Sequence, residues 1–202
     1  MSELWQYEQQ ALDQGHQLIC GCDEAGAGPL AGPVYAAAVI LPFGVEIPGL
    51  NDSKKLTEKK REQLFPVIQE TALAWAVASV DAAEIDETDI LSARMKAMQL
   101  AIDALAQKAD FALVDGNRDK GRSAAITTPH VCVVKGDSLS ASIAAASVLA
   151  KVSRDRWMVE AAGEYPQYRF EQHKGYGTKL HYEMLRTYGP SPIHRRSFLK
   201  NL

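Results

Sequence analysis

The sequence predicts an α/β fold: a mixed five-stranded sheet flanked by helices and followed by a helical C-terminal extension. Three observations carry this. Apolar runs at 18–22, 35–41 and 75–80 follow one another closely enough for an antiparallel meander; beyond them helical and strand patterns alternate; and 202 residues at 47% hydrophobic supply a full core. A meander that passes into alternating helix and strand leaves helices on the faces of a mixed sheet.

The elements follow in order. Leu18-Ile19-Cys20-Gly21-Cys22 reads as the first strand, and 35–41, preceded by Pro33 and ended by Pro42, as the second. The charged stretch 57–71 carries Leu64, Val67 and Ile68 on one face and predicts a helix despite Pro66. A third strand at 75–80 precedes the clearest helical signal. Ile90, Leu91, Met95, Met98, Ile102 and Leu105 recur at helical spacing, and Asp89 stands near the start, where a carboxylate favours the free amides. Its methionine stripe reads as core packing. Strands at 111–114 and 131–134 come next, then a helix over 140–158 whose Ala144, Ala145, Ala146 and Ala150 allow close approach to the sheet. Nothing reads as a linker, repeat or low-complexity tract, so residues 1–202 are expected to form one domain, with a basic C-terminal extension from about 160.

Composition narrows the function classes. A formal net charge of -3 shows no basic excess for phosphates, but the charge is unevenly spread. Acids gather at 81–89, whereas the stretch from His173 carries Lys174, Lys179, Arg186, Arg195, Arg196 and Lys200 against the single acid Glu183. That basic stretch can lie along a nucleic-acid backbone or form a solvated helix face. Cys20, Cys22 and Cys132 fall in strand-like runs without zinc spacing and read as small core residues. His16, His130, His173, His181 and His194 form no H-E-x-x-H. The start, Met1-Ser2-Glu3-Leu4-Trp5, lacks the basic and apolar parts of a signal peptide, and the alanine-rich 143–152 is closed by Lys151, Arg154 and Asp155. A cytoplasmic protein with no membrane segment is expected.

Chemistry is concentrated in carboxylates. Asp23 and Glu24 are expected where the first strand breaks into Ala25-Gly26-Ala27-Gly28, an expensive place for adjacent negative charge unless a divalent cation compensates. Two later strands end the same way, at Asp115 and at Asp137. Three strands each delivering an acid at the carboxyl end exceed ordinary turn chemistry, and that edge is where open α/β sheets bind ligands. If the first strand and the 111–114 strand lie side by side and parallel, Asp23 and Asp115 emerge together, as two-metal phosphoryl chemistry requires.

Six segments then resemble one family. D-E-A-G-x-G-P-L-A-G-P-V at 23–34, N-D-S-K-K-L at 51–56, V-D-G-N at 114–117, K-G-D-S at 135–138, A-A-S-V-L-A-K-V-S-R-D at 145–155 and H-K-G-Y-G-T at 173–178 are similar to bacterial ribonuclease HII, in order and over nearly the whole chain. The resemblance implies a ribonuclease H-like fold and an endonuclease that cuts the RNA strand of RNA/DNA hybrids and incises 5′ of a single ribonucleotide in duplex DNA. By position it implies Asp23, Glu24, Asp115 and Asp137 as metal-binding catalytic acids, with Mg²⁺ or Mn²⁺ as cofactor. Asp155 is a weaker candidate for the fourth acid, being explicable by pairing with Arg154 or Arg156. The loop Gly26-Ala27-Gly28 matches one that usually reads Gly-Arg-Gly and approaches the ribose through its backbone, and Tyr176 matches a tyrosine that packs on the next sugar. Lys54, Lys55, Arg118 and Lys174 are candidate phosphate contacts. Ala27 is the departure: losing the arginine implies a weakened enzyme, and the alternative reading is a catalytically impaired protein that binds RNA/DNA junctions. A monomer is expected, and Arg196-Ser197-Phe198-Leu199 lacks the glutamine of a sliding-clamp peptide.

Overall fold

The computed structural model describes residues 3–200; Met1 and Ser2, read above as the start of a non-signal terminus, lie outside the described residues. In chain order the helices and strands are α1 (Gln6–Asp13), β1 (Ile19–Ala25), β2 (Val34–Ile40), α2 (Glu58–Thr71), β3 (Ala74–Val80), α3 (Ala82–Glu87), α4 (Ile90–Asp103), β4 (Phe111–Asp115), β5 (His130–Val133), α5 (Ala141–Glu164), α6 (Phe170–His173) and α7 (Lys179–Tyr188). The five strands form one mixed sheet in the order β3-β2-β1-β4-β5, with β1–β2 and β2–β3 antiparallel and β1–β4 and β4–β5 parallel. The meander and the later parallel strands are thus as the sequence predicts.

Strand alternation sorts side chains to two faces. Cys20 and Cys22 of β1, Ala36 and Ala38 of β2 and Val114 of β4 pack against Met95, Met98 and Ile102 of α4, which confirms that the methionine stripe is core. Ala37 and Val39 of β2 turn to the opposite face, against Ala145, Val148 and Leu149 of α5 and Leu64 and Ile68 of α2. A Cβ at Gly21 would come within 2.1 Å of the Ser142 carbonyl carbon and 2.2 Å of the Ile143 nitrogen, so only glycine lets α5 lie this close to β1. Asp89 caps α4 by accepting the Ser92 amide at 2.9 Å. The helix α2 passes through Pro66 without a break.

The short helices α1 and α3 are not among the expected elements, most boundaries shift by a residue or two, and two shift by more. The acids Asp23 and Glu24 do not lie in a loop; β1 continues to Ala25, pairing Asp23 with Ala37 and Glu24 with Ala36. Antiparallel pairing with β2 carries the strand past its apolar run. The long helix α5 likewise continues beyond 158 to Glu164, because Met158 and Ala161 pack with Leu30, Tyr168, Phe170 and Leu185 in a separate cluster under the C-terminal helices. Cys20 and Cys22 are buried as expected, but Cys132 on the edge strand is only half-buried. No helix among the described residues is long and apolar enough to cross a membrane.

Candidate functional site

The parallel pairing of β1 with β4 matches Cys22 with Val114, so the next residue of each strand, Asp23 and Asp115, emerges at the same sheet edge. A 3-10 turn over Gly136–Ser138 follows β5 and brings Asp137 there. The Gly136 amide donates to Asp115 Oδ1 at 2.7 Å and ties the turn to the end of β4. Three sequence-distant segments therefore converge, as the acid-terminated strands predict.

The electrostatics are those of negative charge crowded out of water. Asp23 is 4% exposed, and burial, followed by the charges of Glu24 and Asp115, pushes its carboxyl well above the usual range. Burial also raises Glu24, and Asp115 adds to this, although Arg94 Nη2 contacts Glu24 Oε1 at 2.6 Å and opposes the shift. Asp137 rises to about 6 through burial, a hydrogen bond with Asp52 and the charge of Asp115. Each acid is drawn to its own partner, and among the described residues no three acidic, histidine or cysteine side chains already converge as a ligand set. Glu24 Oε2 is nevertheless buried with no hydrogen-bond partner. An orphaned carboxylate oxygen among repelling acids, with an all-oxygen donor set, fits a hard divalent cation.

The N-D-S-K-K-L segment overhangs this edge. Asp52 caps a short 3-10 turn by accepting the Lys54 amide at 2.8 Å, and the Ser53 amide donates to Ser147 Oγ. Lys54, its side chain 77% exposed, reaches to 3.9 Å from Asp137 Oδ2. Burial lowers the Lys54 pKa, but the charges of Asp23, Asp137, Asp52 and Asp115 outweigh it and the net shift is upward. Lys55 donates to Ser138 Oγ at 2.9 Å, and Arg118 is exposed without an ion pair among the described residues. Lys174 turns back onto the Glu171 carbonyl at 2.5 Å.

Next to the acids, the loop from Gly26 to Pro33 is held by two buried arginines, of which Arg195 reaches Gly26 and Ala27 and Arg154 reaches Ala31 and Pro33. Arg195 donates to the carbonyls of Gly26 (2.6 Å), Ala27 (3.0 Å), Pro29 (2.9 Å) and Gly32 (2.9 Å). Arg154 donates to those of Ala31 (3.1 Å), Pro33 (3.1 Å) and Lys174 (3.0 Å). Gly26 has φ +93°, and a Cβ there would lie 2.0 Å from Arg154 Nε. The basic stretch is thus not uniformly a solvated face, since Arg195 is fully buried as a carbonyl clamp. Tyr176 stands 41% exposed on the adjoining loop, its ring centroid 5.6 Å from both Lys151 Nζ and the Arg154 guanidinium carbon.

Asp155 is occupied, but by other partners than its sequence neighbours: Lys151 Nζ at 2.7 Å and Arg61 Nη2 at 3.8 Å. Arg154 is taken by carbonyls, and Arg156 pairs with Glu62 at 2.5 Å. Phe198, in the would-be clamp peptide, packs under the Arg195 guanidinium at 5.3 Å. Sequence reasoning missed Asp52, Arg94, Arg154 and Arg195. Asp52 had a signal, an acid two residues before Lys54 that suits a cap. Arg94 had a fainter one, a cation between Ala93 and Met95 on the buried stripe of α4.

A family model described as Ribonuclease HII matches residues 20–201. Ribonuclease HII of Ruminiclostridium cellulolyticum is 50% identical over 201 residues, covering 100% of this chain and 77% of that protein. Ribonuclease HII of Idiomarina loihiensis is 55% identical over 181 residues, covering 90% of this chain and 95% of that protein. Among solved structures, ribonuclease H2 from Pyrococcus horikoshii OT3 superposes with a TM-score of 0.72 at 26% identity, covering 92% of this chain and 100% of that one.

Proposed function

The chain belongs to the ribonuclease HII family of metal-dependent ribonuclease H endonucleases, and on that premise we propose that it hydrolyses the RNA strand of RNA/DNA hybrids and nicks duplex DNA 5′ of a single embedded ribonucleotide. The observation that supports this reading is the parallel pairing that brings the ends of β1 and β4, with Asp23 and Asp115, to one sheet edge, with the turn carrying Asp137 tied to it, beside a glycine loop whose backbone is clamped by Arg195.

In this reading Asp23, Glu24, Asp115 and Asp137 would hold Mg²⁺ or Mn²⁺, which would supply a lowered pKa for an attacking water and positive charge for the departing 3′ oxygen. The chain's own residues set the geometry. The Gly136 amide fixes one oxygen of Asp115, and Arg94 fixes one oxygen of Glu24, leaving the other buried without a protein partner. Lys54 supplies positive charge over the acids, where a scissile phosphate lies. A side-chain nucleophile is not required: Ser138 accepts from Lys55, and Ser147 donates to the Ala144 carbonyl with no histidine beside it.

Substrate choice rests on one 2′-hydroxyl, the group that separates a ribonucleotide from its DNA neighbours. Gly26 and Gly28 allow the loop backbone to approach the ribose; a Cβ on Gly28 would meet nothing within 4 Å, so the outer side of the loop is open. The Tyr176 ring then packs on the following deoxyribose. The chain is incubated with an end-labelled duplex containing one ribonucleotide, in Mg²⁺, Mn²⁺ or EDTA. A metal-dependent nick immediately 5′ of the ribonucleotide, with 3′-hydroxyl and 5′-phosphate ends and no cleavage of all-DNA duplex, is expected. Retained binding without a cut would instead support a junction-binding protein.

A further inference from the structure

The C-terminal helices bury three histidines that the carboxylate chemistry does not use. His173, His181 and His194 are 7%, 0% and 2% exposed, and all three rings pack around Phe170 at centroid distances of 5.6–5.8 Å. The His173 and His181 rings stack at 4.4 Å. Such a cluster suggests a metal site, but every ring nitrogen already has a hydrogen-bond partner.

Those partners determine the protons. The Ser191 amide can only donate, and it lies 2.9 Å from His194 Nδ1, so that nitrogen accepts. In the neutral ring the proton is then on Nε2, which faces His181 Nε2 at 2.9 Å. His181 Nε2 must accept, its proton sits on Nδ1, and Nδ1 donates to the Tyr176 carbonyl at 3.0 Å. In parallel, the Gly175 amide donates to His173 Nδ1 at 3.2 Å and His173 Nε2 donates to the Tyr168 carbonyl at 2.9 Å. One directional relay thus runs from Ser191 through two imidazoles to the backbone of Tyr176.

We infer that His194 and His181 are positioning residues for Tyr176: the relay holds its peptide in the one orientation from which the exposed ring meets the sugar beside the ribonucleotide. This rests on the role proposed for Tyr176 above. A wrong proton on either ring sets two donors or two acceptors face to face, so the pair acts as a unit. Neither histidine touches substrate in this arrangement.

The test uses the full chain and two near-isosteric variants. His181→Asn keeps a donor near the position of Nδ1, whereas His181→Gln keeps a polar group toward His194 but withdraws the donor from Tyr176. On the single-ribonucleotide duplex, His181→Gln is expected to lower kcat/KM about tenfold and His181→Asn by no more than about twofold, the effect of one oriented hydrogen bond. In a Tyr176→Ala background the two variants should become equal. A clear Tyr176→Ala defect with equal His181→Asn and His181→Gln activities overturns the relay alone. Unchanged cleavage by Tyr176→Ala overturns the role of Tyr176 and the inference with it. Ring-nitrogen NMR of the unmodified chain supplies a second check that no folding defect can obscure: His181 Nδ1 protonated and His194 Nδ1 unprotonated are expected, and the opposite tautomers overturn the relay.

Discussion

The sheet edge and the C-terminal frame both take polar groups out of water, and they resolve the cost in opposite ways. At the edge, the charges of Asp23, Glu24, Asp115 and Asp137 act on one another with Arg94 and Lys54 as near cations, and Glu24 Oε2 is left with no partner. In the frame, Arg154, Arg195 and three histidines lie in carbonyls, amides and one another. A buried network that is fully satisfied rigidifies, whereas one left short of positive charge is tuned to receive it. Under the proposed function the first region is where chemistry is done, and the second fixes the loops that present substrate to it.

The largest expected effect breaks the edge while sparing the frame. Asp115→Asn keeps an acceptor for the Gly136 amide but removes charge from the cluster, and turnover should fall by about a thousandfold or more. Duplex affinity, carried by basic side chains and backbone amides, should change by less than about threefold. Single-turnover cleavage beside a filter-binding titration measures both, and a rate near that of the unmodified chain would remove Asp115 from the catalytic set.

Breaking the frame should register first in stability. Arg195→Met keeps much of the stem but strands four buried carbonyls, which predicts a loss of about 3–5 kcal/mol in urea unfolding. Burial, with Arg154 nearby, pushes the Arg195 pKa down to about 9, still charged at neutral pH. A loss below about 1 kcal/mol would mean that the loop holds itself.

The two regions also respond to acid with opposite sign. Burial chiefly lowers His181 and His194 to about 4 from an ordinary 6.5. Between those values the unfolded chain binds protons that the folded chain refuses, so their contribution to stability declines as pH falls from about 6.5 to about 4 and levels below that. The raised carboxyls of Asp23, Glu24 and Asp137 act the other way, because the folded chain holds their protons to higher pH. Subtracting the stability of a His181→Asn/His194→Gln variant isolates the histidines. The stability advantage of the unmodified chain should shrink by about 3 kcal/mol for each of the two rings between pH 7 and pH 4. A constant difference would show that the rings are not buried neutral.

How much of each region the sequence disclosed follows from how local its signals are. Periodic apolar residues in α4 and three strand-terminal acids are patterns within a few residues of chain, and both led to the observed sheet and edge. The extension of β1 through Asp23 and Glu24 is not local: acids are poor strand formers, and pairing with Ala36 and Ala37 of β2 overrides that preference. Arg154-Asp155-Arg156 reads as neighbouring charges that pair with one another. Its partners are Pro33, Lys151 with Arg61, and Glu62, so long-range packing decides that one arginine is a buried clamp and the other a surface ion pair. The histidine relay was invisible for the same reason, since its order depends on ring tautomers set by loops that meet only in the folded chain.

The smallest expected effect falls where the two regions meet, at Ala27. Its carbonyl is clamped by Arg195 Nη1, so the conformation of the loop is set by the frame and does not depend on the side chain at this position. Ala27→Arg should therefore leave the fold and the metal requirement alone and add only a cation beside the scissile phosphate. A charge-assisted phosphate contact predicts a gain in kcat/KM on the single-ribonucleotide duplex of up to about tenfold, with a steeper fall at high salt. Unchanged kinetics at low salt would mean that Lys54 and Arg94 already meet the charge demand of the edge. A gain that vanished on all-RNA strands would instead assign the new guanidinium to the ribonucleotide junction.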